Sequence, residues 1–174
     1  GDGLKSDNAD DASRGYIAIE GGSFDITAGG DGMQAETDLV VTGGEGTIVA
    51  GGGSGAPVSE DVSAKGLKAA ASITVDGGSF DISAADDGVH SDGDITVNGG
   101  ALRIATGDDG IHADANVTVN GGSVTVTESY EGLEGASITL NSGAISLVSS
   151  DDGVNAAGGD GGAGPGWGGG PGRG

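Results

Sequence analysis

Apolar and polar positions alternate along this chain in short bursts. Between Gly88 and Asp109, Val89 and Ser91 alternate with His90 and Asp92, and Ile95 and Val97 with Asp94 and Thr96. A Gly99-Gly100 pair follows, and then Leu102 and Ile104 flank Arg103. Period two predicts strands, three short ones to a unit, parted by Gly or Asn turns. The unit recurs behind an acidic-Gly-aliphatic anchor. The anchors are Asp2-Gly3-Leu4, Asp31-Gly32-Met33, Asp87-Gly88-Val89, Asp109-Gly110-Ile111, Glu131-Gly132-Leu133 and Asp152-Gly153-Val154, with Lys65-Gly66-Leu67 as the variant. Gly66, Gly88, Gly110 and Gly132 stand 22 residues apart, and insertions near 8–15 and 51–63 lengthen the two earlier intervals.

A unit of this size has no room to bury its own apolar face, so it must stack on its neighbours. Three strands and three turns in about 22 residues make one coil of a single-stranded parallel β-helix, rising about 4.8 Å per coil. The expected fold is all-β. It spans residues 1–157, and a Gly-rich tail or linker occupies 158–174. Stacking turns equivalent positions into ladders. Two should point inward: Leu4/Met33/Leu67/Val89/Ile111/Leu133/Val154, and Phe24/Ile48/Phe80/Leu102/Val124/Ile145. Gly-Gly pairs from Gly21-Gly22 to Gly121-Gly122, with Ser142-Gly143 last, mark one corner where positive φ is expected. The pattern opens inside a repeat at Gly1-Asp2-Gly3, as a piece of a longer chain would.

Composition narrows the function classes. Among 174 residues, Gly supplies 41 and Pro only 3, without the every-third-residue Gly of collagen. Cys is absent, which excludes disulfides, thiolate zinc sites and Cys catalysis. No apolar run approaches the ~18 residues of a membrane helix. The formal charge of −21 has the wrong sign for phosphate contacts, so nucleic acid is not an expected partner.

That charge is organised. Just before the anchor Gly runs the column Asp2, Asp31, Lys65, Asp87, Asp109, Glu131, Asp152. The position before it holds Asp86, Asp108 and Asp151, and four residues past the Gly come Asp7, Glu36, Asp92 and Asp114. Carboxylates stacked roughly 5 Å apart repel by about 3 kcal/mol per pair at an effective dielectric of ~20. A hard cation that takes 6–8 oxygens would offset this, which points to Ca2+. The expected ligands are Asp86, Asp87, Asp108 and Asp109. Asp151 and Asp152 with Glu131 form a second group, and Asp31 with Glu36 a third. A solvated acidic edge is the alternative, with Lys65 neutralising Asp31 or Asp87. His90 and His112 share a column with Lys5, Gln34, Lys68, Glu134 and Asn155. They form either a sugar-binding or metal-assisting strip beside Asp92 and Asp114, or a pair of stacked, exposed polar residues.

The runs Asp2-Gly3-Leu4-Lys5-Ser6, Gly30-Asp31-Gly32-Met33-Gln34-Ala35-Glu36, Ser129-Tyr130-Glu131-Gly132-Leu133-Glu134-Gly135 and Ser150-Asp151-Asp152-Gly153-Val154 carry a resemblance. In their order, they resemble the bacterial extracellular carbohydrate-binding domain-containing proteins, a family of right-handed parallel β-helices. The resemblance implies calcium, a cellulose-like or acidic plant polysaccharide as partner, and a location outside the cell or on its surface. The sugar-contact residues expected on that basis are His90, His112, Asp92, Asp114, Lys68 and Tyr130. A lyase would need a basic residue near the sugar's acidic proton. Lys68 and Arg103 fall on different strands of the coil, so non-catalytic binding is the expectation. The rival is structural, with β-helices stacking head to tail into an extracellular fibre through their open ends.

Overall fold

The structure is a computed structural model that describes residues 1–11, 13–58 and 62–156. The Gly-rich tail and the tip of the second insertion lie outside the described residues. Every strand pairing is parallel, and no helix occurs among the described residues. The chain winds into a β-solenoid of about six coils. A middle coil shows the plan: Leu67–Ala69, Ser72–Val75 and Ser79–Ala84 are its three strands. Each pairs with its equivalent 22 residues on, in Val89–Ser91, Asp94–Val97 and Ala101–Thr106. The third strands form a six-stranded sheet, and the first and second strands share an eleven-stranded one.

The two are joined because the corner between first and second strands disappears late in the stack. Ile111–Val119 and Leu133–Leu140 each run through it as one strand. The register between them shifts after Ala113, where Ala113 pairs with Gly135 but Asn116 with Ser137. One residue has been dropped there, so the later coil turns this corner with less chain.

The inward ladders make a continuous core. Met33, Leu67, Val89, Ile111 and Leu133 pair in sequence and are essentially inaccessible. The second expected ladder needs a correction. Phe24 and Phe80 both pair with Gly46, and Ile48 pairs with Ile26 and Ile82. Positions two apart face the same way, so alternation alone leaves this slip undetected. The backbone decides it: a Cβ at Gly46 would lie 2.3 Å from the Phe24 carbonyl oxygen, so only glycine fits between the two Phe positions.

Two glycine columns shape the corners. Gly22, Gly44, Gly78, Gly100, Gly122 and Gly143 all hold φ between 78° and 104°, a region that side chains disfavour. The anchor glycines matter for space instead. A Cβ on Gly88 would come 2.4 Å from the Ile104 side chain and 2.6 Å from the Gly110 carbonyl oxygen. The turn into each first strand therefore seats directly on the core. That places the residues on either side of the anchor, Asp87 and His90, along one strip of the solenoid.

Candidate functional site: the acidic strip and the adjoining corner

The strip has two parallel columns. Lys5, Gln34, Lys68, His90, His112, Glu134 and Asn155 are in register on the first strands, three residues after the acidic column. The acids inside the stack, Asp31, Asp87, Asp109 and Glu131, are buried, with Asp31 and Asp87 each 1% exposed, while Asp2 and Asp152 at its ends are not. Their carboxylates do not simply oppose one another. Asp2 Oδ1 accepts from the Asp31 backbone N–H at 3.0 Å, and Asp31 Oδ1 from that of Lys65 at 2.8 Å. Asp87 Oδ1 accepts from the Asp109 amide at 3.1 Å, and Asp109 Oδ1 from the Glu131 amide at 3.0 Å. At these four steps the carboxylate thus caps an amide of the next coil, which offsets the repulsion a bare stack would carry.

The second oxygen of each carboxylate meets the neighbouring column. Asp2 Oδ2 lies 3.2 Å from Lys5 Nζ, and Asp31 Oδ2 lies 3.8 Å from Lys68 Nζ. Lys68 also donates to Ser63 Oγ, which donates to Asp31. Asp87 Oδ2 receives Lys65 Nζ at 2.6 Å and faces His90 Nδ1 at 2.9 Å and His112 Nδ1 at 3.7 Å. Burial opposes ionisation of Asp87, but His112, His90 and Lys65 together outweigh it and hold the carboxyl far below its usual range. Burial likewise opposes the charge on Lys65. Asp87 first, and then Asp86, overcome it and lift the ammonium above its ordinary value.

One coil later the balance inverts. Asp109 Oδ2 faces His112 Nδ1 at 3.6 Å rather than an ammonium, and the partner-column residue of the next coil, close to Asp109, is the acid Glu134. Burial, then Glu134 and the charges of Asp87 and Asp108, push the Asp109 carboxyl up to about 8. His112 is lifted to about 9, foremost by Asp87 and against the effect of burial. Glu131 is pushed up mainly by burial. Its Oε1 accepts from Asn155, while its Oε2 has no hydrogen-bond partner.

The residues expected to hold an ion are therefore divided. Asp86, Asp87 and Asp108 place donor atoms within 4.8 Å of one another, and Asp109 groups instead with His112 and Glu134. Lys65 Nζ sits against Asp86 at 3.0 Å and against Asp87, so Asp87 is already matched by a cation. Neither Asp151 and Asp152 nor Asp31 and Glu36 joins a group of three close ligating side chains among the described residues. His90 and His112 are not exposed polar residues: their side chains are 13% and 15% exposed, and their rings meet edge to face with centroids 4.9 Å apart. They do stand beside Asp92 and Asp114, at 3.2 and 3.7 Å.

Tyr130 occupies a different place. Its amide donates to the Asp108 carbonyl oxygen, and its own carbonyl accepts from the Asp151 amide. Asp86, Asp108, Tyr130 and Asp151 thus form one row along the corner just outside the strip. Tyr130 is half exposed, and its hydroxyl is raised chiefly by Asp151. Beside this row lies a concavity of about 410 Å³, lined by Pro57 and Val58 of the second insertion with Ala85, Asp86 and Asp108. The insertion is pinned there by the Ser54 amide on Ser83 Oγ and by Ser54 Oγ on Glu128. In the sequence this region reads as an exposed loop and three acids. The recurrence of Tyr130 at the position of Asp86 and Asp108, two before each anchor Gly, was the available signal for this row.

A β-solenoid with an acidic strip and a grooved corner is the class that the geometry defines. The family model of the carbohydrate-binding domain-containing proteins matches residues 1–110. The chain belongs to that family. Comparisons with curated proteins and with solved structures found no match.

Proposed function

We propose that this chain is a non-catalytic, extracellular polysaccharide-binding module whose glycan lies along the Asp86, Asp108, Tyr130, Asp151 row. The observation that carries the reading is that row's position beside the groove under the second insertion. Sugar sites combine an apolar or aromatic platform with a few fixed polar groups. Tyr130, Pro57 and Val58 supply the first, and the carboxylates of Asp86 and Asp108 accept from sugar hydroxyls.

Calcium belongs to this reading at the same corner. Asp86, Asp87 and Asp108 offer three negative charges against the one ammonium of Lys65. Burial, and then Asp87 and Asp86, push the Asp108 carboxyl upward, as expected where a cation is needed. The residues fit a calcium ion through Asp86 and Asp108, with Asp87 given over to Lys65. The ion's chemistry would be to draw a uronate carboxylate to a chain whose net charge repels it. Catalysis is not part of the reading: Lys68 and Arg103 lie in different sheets.

The test is co-sedimentation with cellulose and with calcium-free polygalacturonate, in calcium or in EDTA. Binding should weaken about tenfold in Tyr130→Ala, a change of about 1.4 kcal/mol. Uronate binding should vanish in EDTA. Full binding by Tyr130→Ala and Asp108→Asn would overturn the corner site, and undiminished uronate binding in EDTA would overturn the calcium role.

A further inference from the structure

We infer that Asp109, His112 and Glu134 form a second cation site, selective for a divalent ion of the zinc class and distinct from any calcium at the corner. One donor atom from each of the three lies within 4.8 Å of the other two. The residues come from adjacent coils: Asp109 and His112 from one, Glu134 from the next, directly in register with His112. The distances are the first argument. His112 Nδ1 is 3.6 Å from Asp109 Oδ2, and His112 Nε2 is 3.7 Å from Glu134 Oε2. Those separations are too long for hydrogen bonds. One ion takes one nitrogen of a ring, so a single one of these separations serves as the ~3.4 Å edge between donors on a tetrahedral ion with bonds of about 2.0–2.2 Å, and the third residue completes the group within 4.8 Å.

The second argument is an unmet demand at this end of the strip. Among the described residues three buried side-chain atoms lack a hydrogen-bond partner, and one of them, His112 Nε2, belongs to this group. Buried polar atoms of this kind call for a partner such as an ion. The contrast with the preceding coil is direct. There Asp87 has Lys65, and both His90 nitrogens are engaged, by Asp87 and Asp92. The lysine or glutamine that the column carries earlier, at Lys5, Gln34 and Lys68, is replaced at Glu134 by an acid. The donor set then selects the ion. One imidazole and two carboxylates suit zinc-class metals, whereas calcium prefers oxygen throughout.

Isothermal titration of the chelator-stripped full chain with zinc alone tests this, beside a calcium titration. We expect one zinc per chain, affinity lowered at least tenfold by His112→Gln and by Glu134→Gln, and no displacement by an equal concentration of calcium. Gln already stands in this column at position 34, so the His112→Gln chain is expected to fold, which circular dichroism checks. Glu134→Gln, on a partly exposed side chain, keeps the test alive if it does not. Asp108→Asn should leave zinc binding intact, which separates this site from the corner. Absent saturable zinc binding, zinc binding indifferent to both substitutions, or displacement by equimolar calcium would each overturn the site.

Discussion

Asp87 and Asp109 are the same residue in the same column one coil apart, yet their surroundings are opposite. Both present Oδ1 to the amide of the next coil. Asp87 then meets an ammonium at 2.6 Å and a histidine at 2.9 Å, and its carboxyl is held far down. Asp109 meets one distant histidine and a second acid, and its carboxyl is driven up to about 8. The difference comes from two neighbours, Lys65 before Asp87 and Glu134 after Asp109. A repeat can therefore keep its fold while one changed side chain per coil sets its local charge.

Removing the shared residue should expose this contrast. Asp87→Ala strips a buried cap and leaves Lys65 with Asp86 alone, so it should cost about 3–5 kcal/mol in urea unfolding, as breaking buried ion pairs does. A loss under about 1 kcal/mol would mean that the strip is not a buried ion-pair network. The pH dependence should come next in size. His112 has a folded pKa of about 9 against 6.5 unfolded, so its contribution is full below pH 6.5 and lost as pH rises through about 9. Asp109, raised from 3.8 to about 8, acts in the same direction over its own window. In chelator, the melting temperature should fall from pH 6.5 to pH 9, and His112→Gln should flatten that fall. A flat wild-type profile would contradict the assignment. The smallest effect is expected at neutral pH from Asp109→Asn, which keeps the acceptor for the Glu131 amide and stands in for the protonated carboxyl that a value of about 8 implies. In chelator its stability should change by less than about 1 kcal/mol, towards greater stability, and a loss like that of Asp87→Ala would erase the comparison.

The 22-residue spacing makes the coil, its corners and the inward ladder from Met33 to Leu133 legible in the sequence, because stacking forces equivalent residues into register; Leu4 and Val154 keep that register at the ends of the stack but are not enclosed. Ile48 stands in the Ile26/Ile82 ladder and not the expected Phe24/Phe80 one: a slip of two residues preserves the inward face, and the alignment of Gly44 with Gly22 and Gly78 is what fixes the register. The acidic column was legible as a column. What remained hidden was where each oxygen points: spacing shows carboxylates about one coil apart, but not that Oδ1 turns along the axis to an amide. The grouping of Asp109 with His112 and Glu134 was hidden for the same reason. It depends on which side chain fills the partner column one coil further on.

The amide cap has a consequence for how such a chain grows. Among the 22-residue units, the one opening at Asp109 both supplies an acceptor to the unit after it, at the Glu131 amide, and offers its own amide to the unit before it, at Asp87. A copied unit inserted at its own boundary would bring both halves of that junction, leaving no orphan at either seam. In-frame duplication of that unit thus keeps the chain of caps unbroken, whereas a copy of the Lys65 unit adds a coil whose anchor side chain has no acceptor to offer.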